Sequence, residues 1–175
     1  IEVCLVGSEM CIRDSYDICN VYSQHNRFVF FSAGNFKRLI QIKTMITTKI
    51  HIASDHAGFQ LKEKIKTYFS NDSLLIDLGT SDNNSVDYPD FAHKMCKKIV
   101  DKIPSYGILI CGSGIGMSMV ANRYSDIRAA LCLDSNMAKL AREHNNANIL
   151  VLGSRLISWQ EAIKCVNIFF STQFD

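Results

Sequence analysis

From Met45 onward the chain alternates short apolar runs with stretches whose apolar residues recur every three or four positions. The first kind has the length of buried strands, and the second has the period of amphipathic helices. Lys49 to Ala53 reads as a strand, and Gly58 to Phe69 as a helix able to turn Phe59, Leu61, Ile65 and Phe69 to one side. Leu74 to Leu78 is a second strand, followed by a polar loop from Gly79 to Ser85. Asp87-Tyr88-Pro89 opens a helix over Asp90 to Lys102, because proline suits a first turn and is disfavoured inside a helix. Three strand-helix pairs follow: Tyr106–Ile110 with Gly116–Asn122, Arg128–Cys132 with Ser135–His144, and Asn148–Leu152 with Trp159–Phe170.

Five such alternations predict an α/β fold, a three-layer α/β/α Rossmann-like domain with a five-stranded parallel sheet covered on both faces. In sheets of this kind ligands gather beyond the carboxyl ends of the strands, where the winding reverses. Asp55-His56 follows the first strand, Cys111-Gly112-Ser113-Gly114 the third and Gly153-Ser154-Arg155 the fifth, while His144-Asn145 closes the fourth helix. If the first and third strands are neighbours, Asp55, His56 and Cys111 converge on one crevice.

Ile1 to Lys43 lacks any sustained period and any signal-peptide organisation, and reads as a poorly ordered leader. Leu5-Val-Gly-Ser-Glu-Met-Cys-Ile-Arg-Asp-Ser15 resembles the translation of an adapter used in sequencing libraries, which would make residues 1–44 non-native and Met45 the native start. The alternative is a genuine transit extension, since Asn20 to Lys43 carries four basic and no acidic residues. The first reading implies a cytoplasmic protein; the second, an organellar one.

Composition narrows the field. A net charge of +2 without any basic tract interleaved with aromatics argues against nucleic acid, and no apolar stretch is long enough to span a bilayer. Seven cysteines form no C-x-x-C pair, and the odd number suggests reduced thiols rather than a disulfide framework. Cys96, Cys132 and Cys165 lie in apolar or amphipathic segments as packing residues; His25, His51 and His93 have no context that suggests chemistry.

The most telling stretch is Tyr106 to Met117, where a strand empties into Cys111-Gly-Ser-Gly-Ile-Gly-Met. Gly112, Gly114 and Gly116 allow the backbone to turn its N–H groups toward an anion, with Ser113 and Ile115 between them. A thiol at the start of a helix sees donors and a positive dipole end that favour the thiolate. The spacing departs from G-x-G-x-x-G, because Met117 occupies the third glycine position, so a dinucleotide cofactor is not indicated. Each cluster also has a plainer reading: the glycines as a turn, Cys111 as a small buried hydrophobe, Asp55 as a helix cap, His144-Asn145 as a helix C-terminus and Arg155 as a surface cation.

Taken in order, Ser54-Asp55-His56-Ala-Gly58, Asp77-Leu-Gly79-Thr80, Asp87-Tyr88-Pro89, Ile110-Cys111-Gly-Ser-Gly-Ile-Gly116, Ala121-Asn122, Arg128-Ala129, His144-Asn145, Asn148 and Gly153-Ser-Arg155 resemble the type B ribose-5-phosphate isomerases. The wider family includes galactose- and allose-6-phosphate isomerases, and the resemblance spans Lys49 to Asp175. It implies interconversion of ribose 5-phosphate and ribulose 5-phosphate through an enediolate, without metal or organic cofactor.

By position in the motif, Cys111 would be the base, Ser113 and the amides of Gly112, Gly114, Ile115 and Gly116 would hold the oxyanion, and His144 would open the sugar ring. Asp55 would contact sugar hydroxyls and assist ring opening, Asn145 would orient the substrate, and His56 and Arg155 would help to place the substrate, with its phosphate as a contact. The family also implies a homodimer with active sites near its interface; assembly within one chain or across two stays open. Family members continue past the last helix with a basic segment, whereas this sequence reads Thr172-Gln-Phe-Asp175, so a C-terminal truncation is expected. The alternatives are a hexose-phosphate isomerase, a non-catalytic sugar-phosphate-binding module, and a redox switch on Cys111.

Overall fold

The computed structural model describes residues 3–6, 9–14, 18–21, 29–32, 49–69, 75–101 and 105–175, the first four segments as backbone. Contacts divide the chain into two units, Ile1–Met45 and Ile46–Asp175. In the first, β1 (Val3–Val6), β2 (Glu9–Asp14), β3 (Ile18–Val21) and β4 (Val29–Ser32) pair antiparallel in sequence order.

The second unit carries the alternation read from the sequence. Its elements are β5 (Ile50–Ser54), α1 (Phe59–Tyr68), β6 (Leu75–Asp77), α2 (Tyr88–Val100), β7 (Tyr106–Cys111) and α3 (Ile115–Ala121). They continue with β8 (Ala129–Leu131), α4 (Ser135–Glu143), β9 (Ile149–Gly153) and α5 (Trp159–Ser171). All five strands are parallel, in the order β6-β5-β7-β9-β8. Leu74 and Lys102, expected at the ends of a strand and a helix, lie outside the described residues. Helix α2 begins at Tyr88, with Pro89 in its first turn where a missing N–H costs nothing.

Burial explains the layers. Strands β5 and β9 are buried throughout and β7 from Gly107 onward, whereas the edge strands β6 and β8 are only partly covered. Because strand side chains alternate, Ala53, Leu109, Cys111, Ile149 and Val151 face one side, where they join Met95, Cys96 and Ile99 of α2 and Met117 and Ala121 of α3. Right-handed crossovers put α1 and α4 on the other side, over Ile52, Ile108, Ile110, Leu150 and Leu152. A Cβ on Gly58 would strike the Ile110 carbonyl, so glycine lets the start of α1 lie directly on β7.

At the edge, the ammonium of fully buried Lys62 donates to Asp77 Oδ2 at 2.6 Å and lies 3.0 Å from Glu63. Lys66 reaches the same Asp77 oxygen at 2.6 Å. Burial raises the Asp77 pKa, but hydrogen bonds from Lys62, Lys66 and the Gly79 amide outweigh it and hold the carboxyl below its ordinary value of 3.8. A depressed folded-state pKa stabilises the fold above the unfolded value, and that stabilisation is lost as the pH falls through the folded one. Asp77→Asn is therefore expected to cost about 2 kcal/mol at neutral pH, as for loss of a hydrogen bond to a charged group. Urea unfolding across pH should show the deficit shrinking below pH 3.8; a constant deficit would contradict an ionic role.

Candidate active site

The strand order reverses between β5 and β7, which leave in opposite directions along the sheet. They are paired from Ile50↔Tyr106 to Ser54↔Ile110, and the Asp55 amide donates to the Ile110 carbonyl at 3.2 Å. Asp55, His56 and Cys111 thus sit at one crevice beyond the carboxyl ends of these strands, the juxtaposition expected from the sequence.

Cys111 ends β7 with a residue exposure of 5%. The Gly114 amide donates to its Sγ at 3.1 Å, a hydrogen bond stronger to a thiolate than to a thiol. Gly114 has φ +79°, in the left-handed region open to glycine, and a Cβ there would strike Leu131. Ile115 N–H donates to Ser113 Oγ at 3.3 Å, leaving that hydroxyl's own proton to donate elsewhere. Two amides of the loop are therefore turned onto its own side chains.

The neighbouring loops interlock with this one. Ser154 and Arg155 amides donate to the Cys111 and Gly112 carbonyls at 2.8 and 3.0 Å, and Ser154 Oγ donates to the Ala57 carbonyl at 2.8 Å. The Arg155 guanidinium lies over Gly112, where an added Cβ would meet it at 3.4 Å, so an exposed cation stands beside the glycine loop. Asp55 Oδ1 accepts from Gly58 N–H at 2.8 Å, so its turn-capping role coexists with its place at the crevice. His56 Nδ1 lies 3.2 Å from the amide nitrogen and carbonyl oxygen of Val86; accepting from the amide puts the ring proton on Nε2.

Two further residues carry no local sequence signal of chemistry. The Tyr88 ring packs against Gly116, close enough that an added Cβ would meet it at 2.7 Å. Its indirect signal is Pro89, which fixes the start of α2 and hence the place of Tyr88. Arg142, in sequence one more charged position of a helix, is buried beneath the His144 turn.

His144 and Asn145 are not brought to Cys111 within one chain. They follow α4, which returns antiparallel to the strands, and precede Ile149, which pairs with Gly107 at the start of β7. Four residues separate that level from Cys111↔Gly153, about 13 Å at the usual rise of a strand. Both residues are exposed.

Cys96, Cys132 and Cys165 are buried and behave as packing residues. Burial pushes the Cys96 thiol up to about 11 and those of Cys132 and Cys165 to about 12. Among the described residues, no group of three His, Cys, Asp or Glu side chains gathers as a metal site, and no helix is long and apolar enough to cross a membrane.

Comparison with known proteins adds an independent line. The family described as Ribose/Galactose Isomerase matches residues 50–175. Ribose-5-phosphate isomerase B of Escherichia coli K12 is 35% identical over 128 residues, 73% of this chain and 86% of that protein. The solved ribose 5-phosphate isomerase of Thermotoga maritima aligns with a TM-score of 0.71 at 54% identity, covering 74% of this chain and 90% of that one. That of Mycoplasma genitalium, solved with bound ribulose-5-phosphate, gives 0.69 at 39% identity over 74% and 87%. With the parallel sheet, the switch-point crevice and the glycine loop already in place, these matches make the chain a member of the ribose/galactose isomerase family.

Proposed function

We propose that this protein interconverts ribose 5-phosphate and ribulose 5-phosphate, with Cys111 carrying the proton between the two carbons. The observation that carries this reading is the Cys111 thiol, held by the Gly114 amide at the crevice where β5 and β7 diverge, beside Asp55 and His56. Relatives named as ribose-5-phosphate isomerases support the pentose, while others are named only as sugar phosphate isomerases.

The reaction asks for three things. The aldose is mostly a closed furanose, so an acid must deliver a proton to the ring oxygen as the C1 hydroxyl proton leaves; His144, whose imidazole can donate one proton and accept another, suits that step. A base must then take the proton from C2 and return it at C1, which is the role of the Cys111 thiolate. Finally, the negative charge that develops on oxygen needs fixed donors, each worth about 3 kcal/mol in such sites. Here those donors are the Ser113 hydroxyl and loop amides not turned onto Cys111 and Ser113. Arg155 and the Nε2–H of His56 meet the phosphate, the guanidinium offering a fork that matches its oxygens.

A second copy of the chain supplies His144. Within one chain the acid and the base lie at opposite edges of the sheet, so a complete site needs another molecule. Met137 and Leu140, each about 40% exposed, lie on α4 at spacings of three and four that lead to His144 just past its end, and Leu133, 43% exposed, lies just before the helix. An apolar stripe ending in the catalytic histidine is the surface on which a two-fold partner would seat, placing each His144 over the other's Cys111.

Ribose 5-phosphate, allose 6-phosphate and galactose 6-phosphate compared in one coupled assay test the substrate. The highest kcat/KM is expected for ribose 5-phosphate; preference for a hexose would transfer the site to that reaction, and turnover of none would overturn the isomerase reading.

A further inference from the structure

We infer that Arg142 is a positioning residue for ring opening: it clamps the turn that carries His144 and Asn145. This rests on the proposed role of His144.

Arg142 is 5% exposed, and among the described residues no carboxylate pairs with it. A buried cation without a counter-ion is costly unless its N–H groups are well satisfied. Here they are spent on the turn and what flanks it. Nη1 donates to the Ala147 carbonyl at 2.6 Å and to Asn146 Oδ1 at 2.9 Å, Nε to the Thr172 carbonyl at 3.4 Å and Nη2 to the Tyr106 hydroxyl at 3.4 Å. The guanidinium lies 5.1 Å from the ring centroid of Tyr106 and 5.7 Å from that of Phe169. Its plane is thereby fixed from two sides.

The turn itself is unusual backbone. Asn146 has φ +46°, and its amide donates to the Arg142 carbonyl at 3.1 Å, while Ala147 N–H returns to Ala141 at 2.9 Å. Asparagine tolerates this left-handed step at a helix end, and a cation there also offsets the negative end of the helix dipole. Arg142 therefore grips the chain on the far side of His144 and Asn145, at residues 146 and 147, from a position just before them. The two exposed residues are held out on a braced arch rather than on a fraying helix end.

A residue that only filled the core would affect every step alike. Ribulose 5-phosphate separates the possibilities, because its C5 oxygen carries the phosphate and it cannot close to a furanose. Deuterium entering C1 of ribulose 5-phosphate from D2O reports proton abstraction without ring opening, whereas turnover of ribose 5-phosphate requires both. In the full chain, Arg142→Lys keeps the charge but removes the fork. It is expected to lower ribose 5-phosphate turnover by about 100-fold, the cost of a group displaced by an ångström, with deuterium entry within about 3-fold of the parent.

Asn146→Gly, which keeps the left-handed backbone and removes one acceptor of the guanidinium, should give the same split, smaller, and decides the matter if Arg142→Lys fails to fold. Equal loss of both rates, or loss of neither, would overturn the positioning role. His144→Ala run alongside keeps the two readings apart. If it shows the split and the Arg142 and Asn146 variants do not, the clamp fails alone; if it leaves ribose 5-phosphate turnover intact, the role of His144 fails first.

Discussion

Cys111→Ala should lower kcat for ribose 5-phosphate by roughly a thousandfold, the middle of the range for losing a positioned general base. The fold should survive the change. Cys111 is a small residue at the end of a strand whose other buried positions are unaltered, and alanine there removes the hydrogen bond from Gly114 N–H to Sγ. A hydrogen bond of this kind contributes about 1 kcal/mol to stability. Affinity for ribulose 5-phosphate, measured by calorimetry, should change little, because the proposed contacts to its phosphate and hydroxyl groups come from other residues. Cys111→Ser sharpens the test. A serine hydroxyl can still accept from Gly114, but it does not ionise near neutral pH, so it should be as inactive as alanine. Activity restored by serine would mean that the side chain holds the loop and carries no proton.

The second large effect concerns assembly. If the chain pairs as proposed, His144→Ala and Cys111→Ala dimers should each be nearly inactive toward ribose 5-phosphate, yet mixing them after reversible dissociation should recover activity. Random reassortment makes half of the dimers mixed, and each mixed dimer holds one intact site of two, so about a quarter of wild-type activity should return if sites are shared across a two-fold axis. No recovery from a mixture that demonstrably exchanges subunits would place His144 and Cys111 in the same chain's site. That outcome would require His144 to cross about 13 Å of sheet, the separation set by the strand rise between Gly107 and Cys111.

Much of the fold is legible from residue patterns alone, for identifiable reasons. Alternating apolar runs and helical periods mark the five strands and five helices of the second unit, because a parallel sheet buried on both faces leaves uninterrupted apolar segments. Pro89 marks the start of α2, and the glycine loop marks the end of β7, since both impose backbone constraints that only particular residues meet. Strand pairing lies in no local signal. That β5 neighbours β7 depends on crossovers over dozens of residues, and it alone brings Asp55 to Cys111.

Sequence order groups His144 with clusters near strand ends, whereas the fold sends it to the opposite edge. A helix linking parallel strands must end where the next strand begins, so its C-terminus lies far from the carboxyl edge. Arg142 is silent in the sequence because a buried arginine on an amphipathic helix looks like any charged position until Tyr106, Phe169 and the 146–147 carbonyl region close around it. Lys62, a polar position on its helix by pattern, is likewise buried by its pairing with Asp77.

Solvent exchange tests the role of Cys111 most directly. Ribulose 5-phosphate incubated in D2O with the wild-type protein should gain deuterium at C1, and with Cys111→Ala at saturating substrate the rate of deuterium entry should fall by the same factor of roughly a thousand. Deuterium entry by Cys111→Ala at the wild-type rate would show that another group removes the proton.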